Sequence, residues 1–206
     1  MELEPRVVLM VMDMQNDFCS REGVFARNKF SVAAIDEITP NIRRVMEAAK
    51  AKKIPIVATK LTILEDLDGK AMGLGHLLKL RPFLVQEGFR AGSWGHEMIS
   101  ELPKPDYEVR KWGWSAIYQT ELEKILEALG ARTLVFTGVA TNGVVEGTAR
   151  DAGMRGYEIV TLSDCVAGYD QKLHNASLVN LANMGKVITA KEFVLIISGP
   201  ATQKGR

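Results

Sequence analysis

The sequence predicts an α/β fold, doubly wound, with a mostly parallel six-stranded sheet and helices on both faces. Short apolar runs alternate along the chain with longer segments of helical periodicity, as in consecutive βαβ units. The first of these runs, residues 7–12, contains no polar residue, which is typical of a parallel strand that is buried on both faces. The chain has 206 residues, 47% of them apolar, which is enough for one domain with a substantial core.

The predicted strands are short segments bounded by polar or glycine-rich sequence. We expect one domain over residues 1–198 and a flexible tail over residues 199–206, because the tail lacks an apolar pattern. The predicted strands cover residues 7–12, 54–59, 107–111, 133–136, 157–162 and 186–189.

Helices are predicted from apolar spacing and from capping residues. An amphipathic pattern covers residues 38–53. The segment Thr120–Glu123 has the pattern of a capping box, and Gly130 is placed to end the helix that follows it. Asp170 is expected to cap a helix that runs to Met184.

The amino-acid composition argues against some classes of function. Lys plus Arg is 26 and Asp plus Glu is 25, and this balance argues against general nucleic-acid binding. No apolar run reaches the roughly 18 residues that a membrane-spanning helix needs, and no signal peptide is visible. The two cysteines, Cys19 and Cys165, form no CxxC pair. We therefore expect a cytoplasmic protein without a cofactor or a required metal.

The stretch from Thr137 to Asp151 joins a strand to a helix through a tight turn. A helix start directs unpaired backbone N–H groups and positive partial charge into the space before it, which suits a developing oxyanion. The alternative is an ordinary strand-to-helix connection, which spacing alone favours. The predicted helical face comprises Val144, Val145, Thr148, Ala149 and Ala152.

Two charged residues lie at the carboxyl ends of predicted strands, where ligands bind in open α/β sheets. Asp13 follows the first strand and Lys111 ends the third. A carboxylate there can exchange protons with a substrate, and an ammonium can stabilise negative charge beside it. Taken alone, each is better explained as a solvated residue, and Asp13 also as a helix cap.

The least regular part of the sequence, residues 60–95, contains six glycines, together with the aromatic residues Phe89 and Trp94. A segment of this length within a compact domain is usually a binding loop or a cover over a site. Arg90 in this segment is either an anchor for an anion or carbonyl group or a surface arginine. Ser93 is expected to cap a short helix at His96.

Three motifs, in order, resemble those of one family. The stretch Gly-Val-Ala-Thr-Asn-x-x-Val-Glu-x-Thr-Ala-Arg-Asp-Ala, residues 138–152, resembles the signature of the isochorismatase-like hydrolases, often called cysteine hydrolases. Asp-Met-Gln-Asn-Asp-Phe, residues 13–18, and Lys-x-x-x-Ser-Ala, residues 111–116, resemble two further motifs of that family. The resemblance covers nearly the whole chain and implies a Rossmann-like sheet of the isochorismatase type.

The resemblance also assigns roles to residues. It implies that Asp13 is the catalytic acid or base, that Lys111 lies against it, and that Val144 occupies the position of the family's nucleophilic cysteine. It places the candidate oxyanion turn at Val139, Ala140, Thr141 and Val144. The remaining candidates, which would contact substrate, are Gln15, Phe18, Arg90, Trp94, Trp112 and Tyr118; for the last two, core packing is the alternative.

Family members hydrolyse small amides, ureides and carbamoyl compounds, and a minority cleave the vinyl ether of isochorismate. The resemblance thus implies a small-molecule substrate and a homodimer or homotetramer. Because Val144 cannot attack a carbonyl, the first hypothesis is hydrolysis without a covalent intermediate, assisted by Asp13 and Lys111. The alternative is an inactive protein of the same fold, natural or engineered, that binds a small ligand or a partner.

Overall fold

The computed structural model describes residues 6–199. Most of the expected C-terminal tail, residues 200–206, lies outside the described residues. Within the described range, the fold is a six-stranded sheet between two layers of helices, together with a two-stranded antiparallel ribbon.

All neighbouring strands of the large sheet are parallel, which confirms the predicted fold class. The spatial order is β5-β2-β1-β6-β7-β8. The strands are β1 (Val7–Met12), β2 (Ile56–Leu61), β5 (Tyr107–Lys111), β6 (Thr133–Val139), β7 (Glu158–Ala167) and β8 (Lys186–Ile188), and the ribbon pairs β3 (Leu64–Glu65) with β4 (Ala71–Met72).

Four strand predictions had wrong bounds, and the difference is smallest for β8, which ends at Ile188 rather than at residue 189. Strand β2 begins and ends two residues later than predicted, because Pro55 lies before its first residue and contributes only a carbonyl, which accepts a hydrogen bond from the N–H of Leu9. Strand β6 continues three residues further, to Val139, and β7 continues to Ala167. These extensions pair with each other after an irregularity in the register between Phe136 and Gly138.

The helices cover both faces of the sheet, as predicted. Helices α3 and α8 pack on the face that carries Leu9 and Val11, whereas α5, α6 and α7 pack on the face of Val8, Met10 and Met12. The helices are α1 (Asn16–Cys19), α2 (Val24–Arg27), α3 (Ala33–Ala51), α4 (Leu77–Leu80), α5 (Leu122–Ala128), α6 (Glu146–Met154), α7 (Gln171–Met184) and α8 (Ala190–Ser198), with 3₁₀ turns at Pro82–Val85 and Trp94–His96.

Two of the predicted helix N-caps are present in the structure, and the predicted capping box is not. Asp170 accepts hydrogen bonds from the N–H groups of Lys172 and Leu173, and the Ser93 hydroxyl accepts one from the His96 N–H, so both predicted caps are confirmed. The capping box at residues 120–123 is not formed, because the carboxylate of Glu123 pairs with Arg155 instead.

Helix α3 begins five residues earlier than predicted. Ile35 is buried and lies one turn before Ile38 and two turns before Ile42, so the apolar face is longer than the predicted segment. Pro40 is therefore inside the helix rather than in its first turn.

The order of the strands creates a switch point between β1 and β6. From β1 the chain adds strands on one side, and from β6 it adds them on the other, so the loops after these two strands leave in opposite directions. Asp13 follows β1 and Ala140 follows β6. The fold therefore opens a crevice at the positions that the sequence motifs occupy.

Strands β1 and β6 approach each other closely at Gly138. Its backbone is in the left-handed region at φ +100, and a Cβ atom there would lie 2.1 Å from the carbonyl oxygen of Met12. Only glycine fits both requirements. This contact sets how near the turn after β6 comes to Asp13.

We expect Gly138→Ala to lower the free energy of unfolding by about 2–4 kcal/mol, since it adds backbone strain and a steric clash. Gly153→Ala is the matched control. Gly153 lies in α6 with only a contact of 3.9 Å for an added Cβ, so alanine should be neutral or stabilise by up to about 1 kcal/mol. Urea unfolding measures both, and equal effects would contradict the close-approach explanation.

Candidate active site

Asp13 is held in an unusual backbone conformation directly after β1. Its φ is +49, in the left-handed region that few residues other than glycine adopt. Its N–H donates to the carbonyl and hydroxyl oxygens of Thr59 in β2, at 3.2 and 3.1 Å. The Thr59 hydroxyl in turn donates to the carboxylate Oδ1 at 2.6 Å. The adjacent strand therefore fixes the orientation of the Asp13 carboxylate.

Lys111 reaches the other carboxylate oxygen from the end of β5. Its Nζ lies 2.7 Å from Asp13 Oδ2, and the side chains are 3% and 2% exposed. The same ammonium donates to the carbonyl oxygen of Gly113 at 2.8 Å. The structure thus brings together two residues that are 98 positions apart in the sequence (111 − 13).

Because the Asp13–Lys111 pair is buried, breaking it would cost a large amount of folding free energy. Two charges taken out of water lose hydration, and their attraction compensates only while both are present. Removing one partner leaves an uncompensated charge inside the protein, which costs about 3–5 kcal/mol. The pair is therefore maintained as a unit, with the Thr59 hydroxyl as its third member.

The turn after β6 forms another wall of the site. Residues Thr141–Val145 make a wide helical turn that leads into α6. The N–H groups of Gly143 and Val145 both donate to the carbonyl oxygen of Ala140. The Thr141 hydroxyl is hydrogen-bonded to Nδ1 of His174 at 2.8 Å, which ties the turn to α7.

One cavity of about 270 Å³ joins the carboxylate–ammonium pair to the turn. Its volume lies near the lower end of the range for small-molecule sites. Asp13, Lys111, Ala140 and Val144 all contribute to its lining, as do Asn142 and Gly143. Most of the remaining wall is apolar: Phe18, Phe25, Phe30, Leu61, Leu77, Leu80, Leu84, Trp114 and Leu173.

Aromatic rings form one side of the cavity. Phe25 packs against Phe18 and Tyr169, with ring centroids 4.7 and 4.8 Å apart. The Tyr169 hydroxyl donates to the carbonyl oxygen of Phe18 at 2.8 Å, and burial raises the pKa of this phenol well above its usual value. Tyr169 therefore contributes a neutral, fixed surface rather than an acid or base near neutral pH.

A short cover segment, which we define as residues 74–85, forms a further wall of the cavity and packs against Phe25 and Phe30 through Arg81 and Phe83. It contains α4 and the 3₁₀ turn Pro82–Val85, and it presents Leu77, Leu80, Arg81 and Leu84 to the interior. The ring of His76 packs edge-on against Trp114, with centroids 4.9 Å apart.

The structure separates the candidate substrate residues into two groups. Phe18 lines the cavity, whereas Gln15, Arg90, Trp94, Trp112 and Tyr118 do not. The side-chain amide of Gln15 is hydrogen-bonded to the backbone of Leu61 and His96. Val139 is fully buried in the last position of β6, behind the turn rather than on the cavity surface.

The side chain of Arg90 is bonded within the protein and does not line the cavity. Its guanidinium bonds to the Glu65 carboxylate and to the carbonyl oxygens of Leu84, Val85 and Gly88. These bonds hold the end of the cover segment. The guanidinium of Arg90, which the sequence suggested as an anion anchor, is thus bonded to groups of the protein itself.

The remaining aromatic candidates lie on other surfaces. Trp94 is 54% exposed and Tyr118 is 63% exposed. The indole N–H of Trp112 donates to the carbonyl oxygen of Gln119 at 3.3 Å, within the loop after β5. None of these three side chains faces the Asp13–Lys111 pair.

Neither of the two cysteines is placed to act on a ligand in the cavity. Cys19 and Cys165 are both buried and unpaired, and neither lines the cavity. Burial raises the pKa of both thiols well above the ordinary value, and the nearby carboxylates of Asp13 and Asp164 add to this effect for Cys19 and Cys165 respectively. Since only a thiolate is an effective nucleophile, both groups are inert near neutral pH.

Neither a cluster of metal ligands nor a membrane-spanning helix is found among residues 6–199. Within that range, no three His, Cys, Asp or Glu side chains are grouped as metal ligands. The same range contains no helix that is both long and apolar enough to span a membrane.

Sequence reasoning missed part of the cavity wall. Arg81, Tyr169 and Asn142 line the cavity but were not among the candidates. Asn142 lies within the recognised turn, so its motif could have identified it. Arg81 begins the segment Arg81–Phe83, which resembles a substrate-side loop of ureide and biuret-type amidohydrolases, so that pattern could have identified it. Tyr169 has no such pattern, because its segment approaches the site only through tertiary packing.

Comparison with known proteins identifies the class. Residues 7–192 match the family described as "Isochorismatase domain", and the chain belongs to the isochorismatase-like hydrolase family. A ureidoacrylate amidohydrolase RutB from Methylorubrum extorquens is 35% identical over 169 residues, covering 76% of this chain and 68% of the relative. Another, from Acinetobacter baylyi, is 32% identical over 203 residues, covering 92% and 82%.

Solved structures agree with this assignment. A cysteine hydrolase from Pseudomonas syringae pv. phaseolicola superposes with a TM-score of 0.85 at 25% identity, over 96% of this chain and 95% of the other. N-carbamoylsarcosine amidase from Thermoplasma acidophilum superposes with a TM-score of 0.70 at 25% identity, over 92% and 97%.

We expect Lys111→Met to lower the free energy of unfolding by about 3–5 kcal/mol, because it leaves the Asp13 carboxylate buried without its partner. The double variant Asp13→Asn/Lys111→Met should lose much less than the sum of the two single variants, since it removes both charges. Urea unfolding of the four proteins gives the coupling energy. Additive losses would show that the ion pair does not act as a unit.

We expect both native thiols to react slowly with iodoacetamide at pH 8, because their raised pKa values leave little thiolate. Val144→Cys should introduce one site that reacts faster, since position 144 lines a cavity that also contains an ammonium. Mass spectrometry after timed quenching counts the modified thiols. Rapid modification of Cys19 or Cys165 in the folded parent would contradict their assignment as inert.

Proposed function

We propose that this protein hydrolyses a small amide or ureide, with water as the direct nucleophile and no covalent intermediate. The observation that carries the proposal is the buried Asp13–Lys111 pair, which opens into a mostly apolar cavity whose lining contains no thiol. A carboxylate held in this way can exchange a proton with water, and the apolar surroundings strengthen every electrostatic interaction with the reacting atoms.

The proposed reaction proceeds in two stages. Asp13 removes a proton from water while the water oxygen forms a bond to the substrate carbonyl carbon, and the C=O electron pair moves onto oxygen. The C=O bond then re-forms as the C–N bond breaks, and Asp13 returns the proton to the leaving nitrogen. One water is consumed, and Asp13 is regenerated.

Lys111 has two roles in this proposal. Its ammonium holds the Asp13 carboxylate, and its positive charge stabilises the negative oxygen of the tetrahedral intermediate. Because the N–H groups of Gly143 and Val145 already donate to Ala140, Lys111 is the main charged donor, and the other N–H groups around Ala140 and Val144 assist it.

The substrate class is supported by chemistry that the relatives share. Ureidoacrylate amidohydrolase and N-carbamoylsarcosine amidase are names of enzymes that act on a carbonyl group bonded to nitrogen. We extend that class to this chain, and the cavity volume of about 270 Å³ limits the substrate to a small molecule. A cytoplasmic location and a homodimer or homotetramer remain predictions from the sequence.

A second candidate function is binding without catalysis. The observation that favours it is Val144, which presents methyl groups to the cavity where the family motif has a cysteine. A protein that had lost its chemistry would retain the cavity and could retain the Asp13–Lys111 pair for its structural role.

We expect the parent protein to turn over at least one compound in a panel of small amides, ureides, biuret-like compounds, nicotinamide and isochorismate. Asp13→Asn should lower kcat/KM by about 10²-fold or more, because general acid–base catalysis contributes that much. Asp36→Asn, at a surface carboxylate paired with Arg21, is the control and should leave kcat/KM unchanged. Ammonia release and mass spectrometry of the products measure turnover.

Val144→Cys discriminates between the two functions in the same assay. An inactive parent, together with activity in Val144→Cys, would overturn the proposal and establish a binding protein whose pocket retains amidase geometry. An active parent that loses nothing in Asp36→Asn and nearly everything in Asp13→Asn supports hydrolysis by water.

A further inference from the structure

The cavity contains a cationic side chain that the proposed mechanism does not use. Arg81 lines the cavity from the cover segment, at the residue between α4 and the following 3₁₀ turn. Its backbone is fixed there, since its N–H donates to the carbonyl oxygen of Leu77 at 2.7 Å and Pro82 follows it. The guanidinium is therefore brought to the cavity by a constrained segment.

The Arg81 guanidinium has no acidic partner in the described part of the chain. Its only hydrogen bond there is from Nη1 to the carbonyl oxygen of Leu80, at 2.7 Å. No carboxylate of residues 6–199 lies within 4.0 Å of it. A guanidinium has five N–H donors, so most of its capacity is unused.

Two aromatic rings hold this cation in place. The guanidinium carbon lies 4.6 Å from the ring centroid of Phe30 and 5.7 Å from that of Phe25. Partial burial lowers the pKa of Arg81 from its ordinary value. The group therefore bears a desolvation cost that cation–π contacts offset only in part.

The other charges of the cavity are already compensated. Lys111 is paired with Asp13 at 2.7 Å. Asp170 also lines the cavity, but its Oδ1 accepts from the N–H groups of Lys172 and Leu173 at the start of α7. An anion that entered the cavity would therefore find its strongest attraction at Arg81.

We infer that Arg81 is the residue that selects and orients the ligand, by binding a carboxylate on an otherwise apolar molecule. This inference rests on the proposed function for its substrate class: an N-carbamoyl or N-acyl derivative of an apolar amino acid. The guanidinium fork matches a carboxylate in two parallel hydrogen bonds. The phenylalanine and leucine side chains of the wall surround the apolar body.

Charge also fixes the direction in which such a ligand binds. Arg81 attracts a ligand carboxylate, whereas the paired Asp13 and Lys111 present no net charge that competes for it. The amide or ureide end is therefore directed towards the Asp13–Lys111 pair. Arg81 is thus a specificity-determining residue that acts without touching the reacting carbonyl.

The test measures binding separately from turnover. Isothermal titration calorimetry at pH 7.5 and constant ionic strength compares 4-methylpentanoate with 4-methylpentan-1-ol, which share an apolar body and which no hydrolase of this class can cleave. The proteins are the parent, Arg81→Met, Arg81→Lys and the control Arg21→Met. Arg21 is an exposed arginine whose side chain is 82% exposed.

We expect the carboxylate to bind the parent about 10- to 100-fold more tightly than the alcohol, as a charge-assisted hydrogen bond would give. Arg81→Met should abolish this preference while it retains binding of the alcohol, which shows that the cavity is intact. Arg81→Lys should retain part of the preference, and Arg21→Met all of it. Equal binding of both probes by the parent, or an unchanged preference in Arg81→Met, would overturn the inference.

The two proposals fail in different ways. The protein could prefer the carboxylate through Arg81 and yet hydrolyse no compound of the panel; the ligand class would then be supported and the proposed hydrolysis would be wrong. It could instead hydrolyse uncharged ureides and show no carboxylate preference; the proposed reaction would then be supported and the role of Arg81 would be wrong.

Discussion

The ion pair between Asp13 and Lys111 is the constraint on which the rest of the site depends. Two buried opposite charges 2.7 Å apart require fixed partners on every side. The fold supplies them by placing the ends of β1, β2 and β5 next to one another, so that Thr59 and Lys111 converge on the carboxylate of Asp13. The parallel sheet thus does more than form a core, because its strand order determines which side chains can neutralise each other.

The turn after β6 is positioned by contacts that do not involve the side chain of Val144. Gly138 brings the turn close to β1, and Thr141 connects it to α7 through His174. The position of the turn beside the Asp13–Lys111 pair therefore depends on these residues rather than on the side chain at position 144.

The sequence predicted the strands at the centre of the sheet, because β1 and residues 134–136 of β6 are continuous apolar runs, which indicates burial on both faces. It also predicted that Asp13 and Lys111 would lie at strand ends, and the motif resemblance linked them. It did not predict Arg81 or Tyr169, since their contribution to the cavity arises from how the cover segment and the end of β7 pack. Arg90 illustrates the same difficulty, because a local pattern cannot tell whether a guanidinium meets a ligand or, as here, Glu65 and three backbone carbonyls.

The central claim is that water, rather than a protein side chain, attacks the substrate carbonyl. Rapid mixing of the parent with a compound that it hydrolyses, followed by acid quenching and intact-mass spectrometry, tests this claim most directly. We predict that product accumulates while the parent retains its unmodified mass at every time point, whereas Val144→Cys shows a transient increase equal to the acyl group. An acyl adduct on the parent, located on any side chain by peptide mapping, would contradict the account.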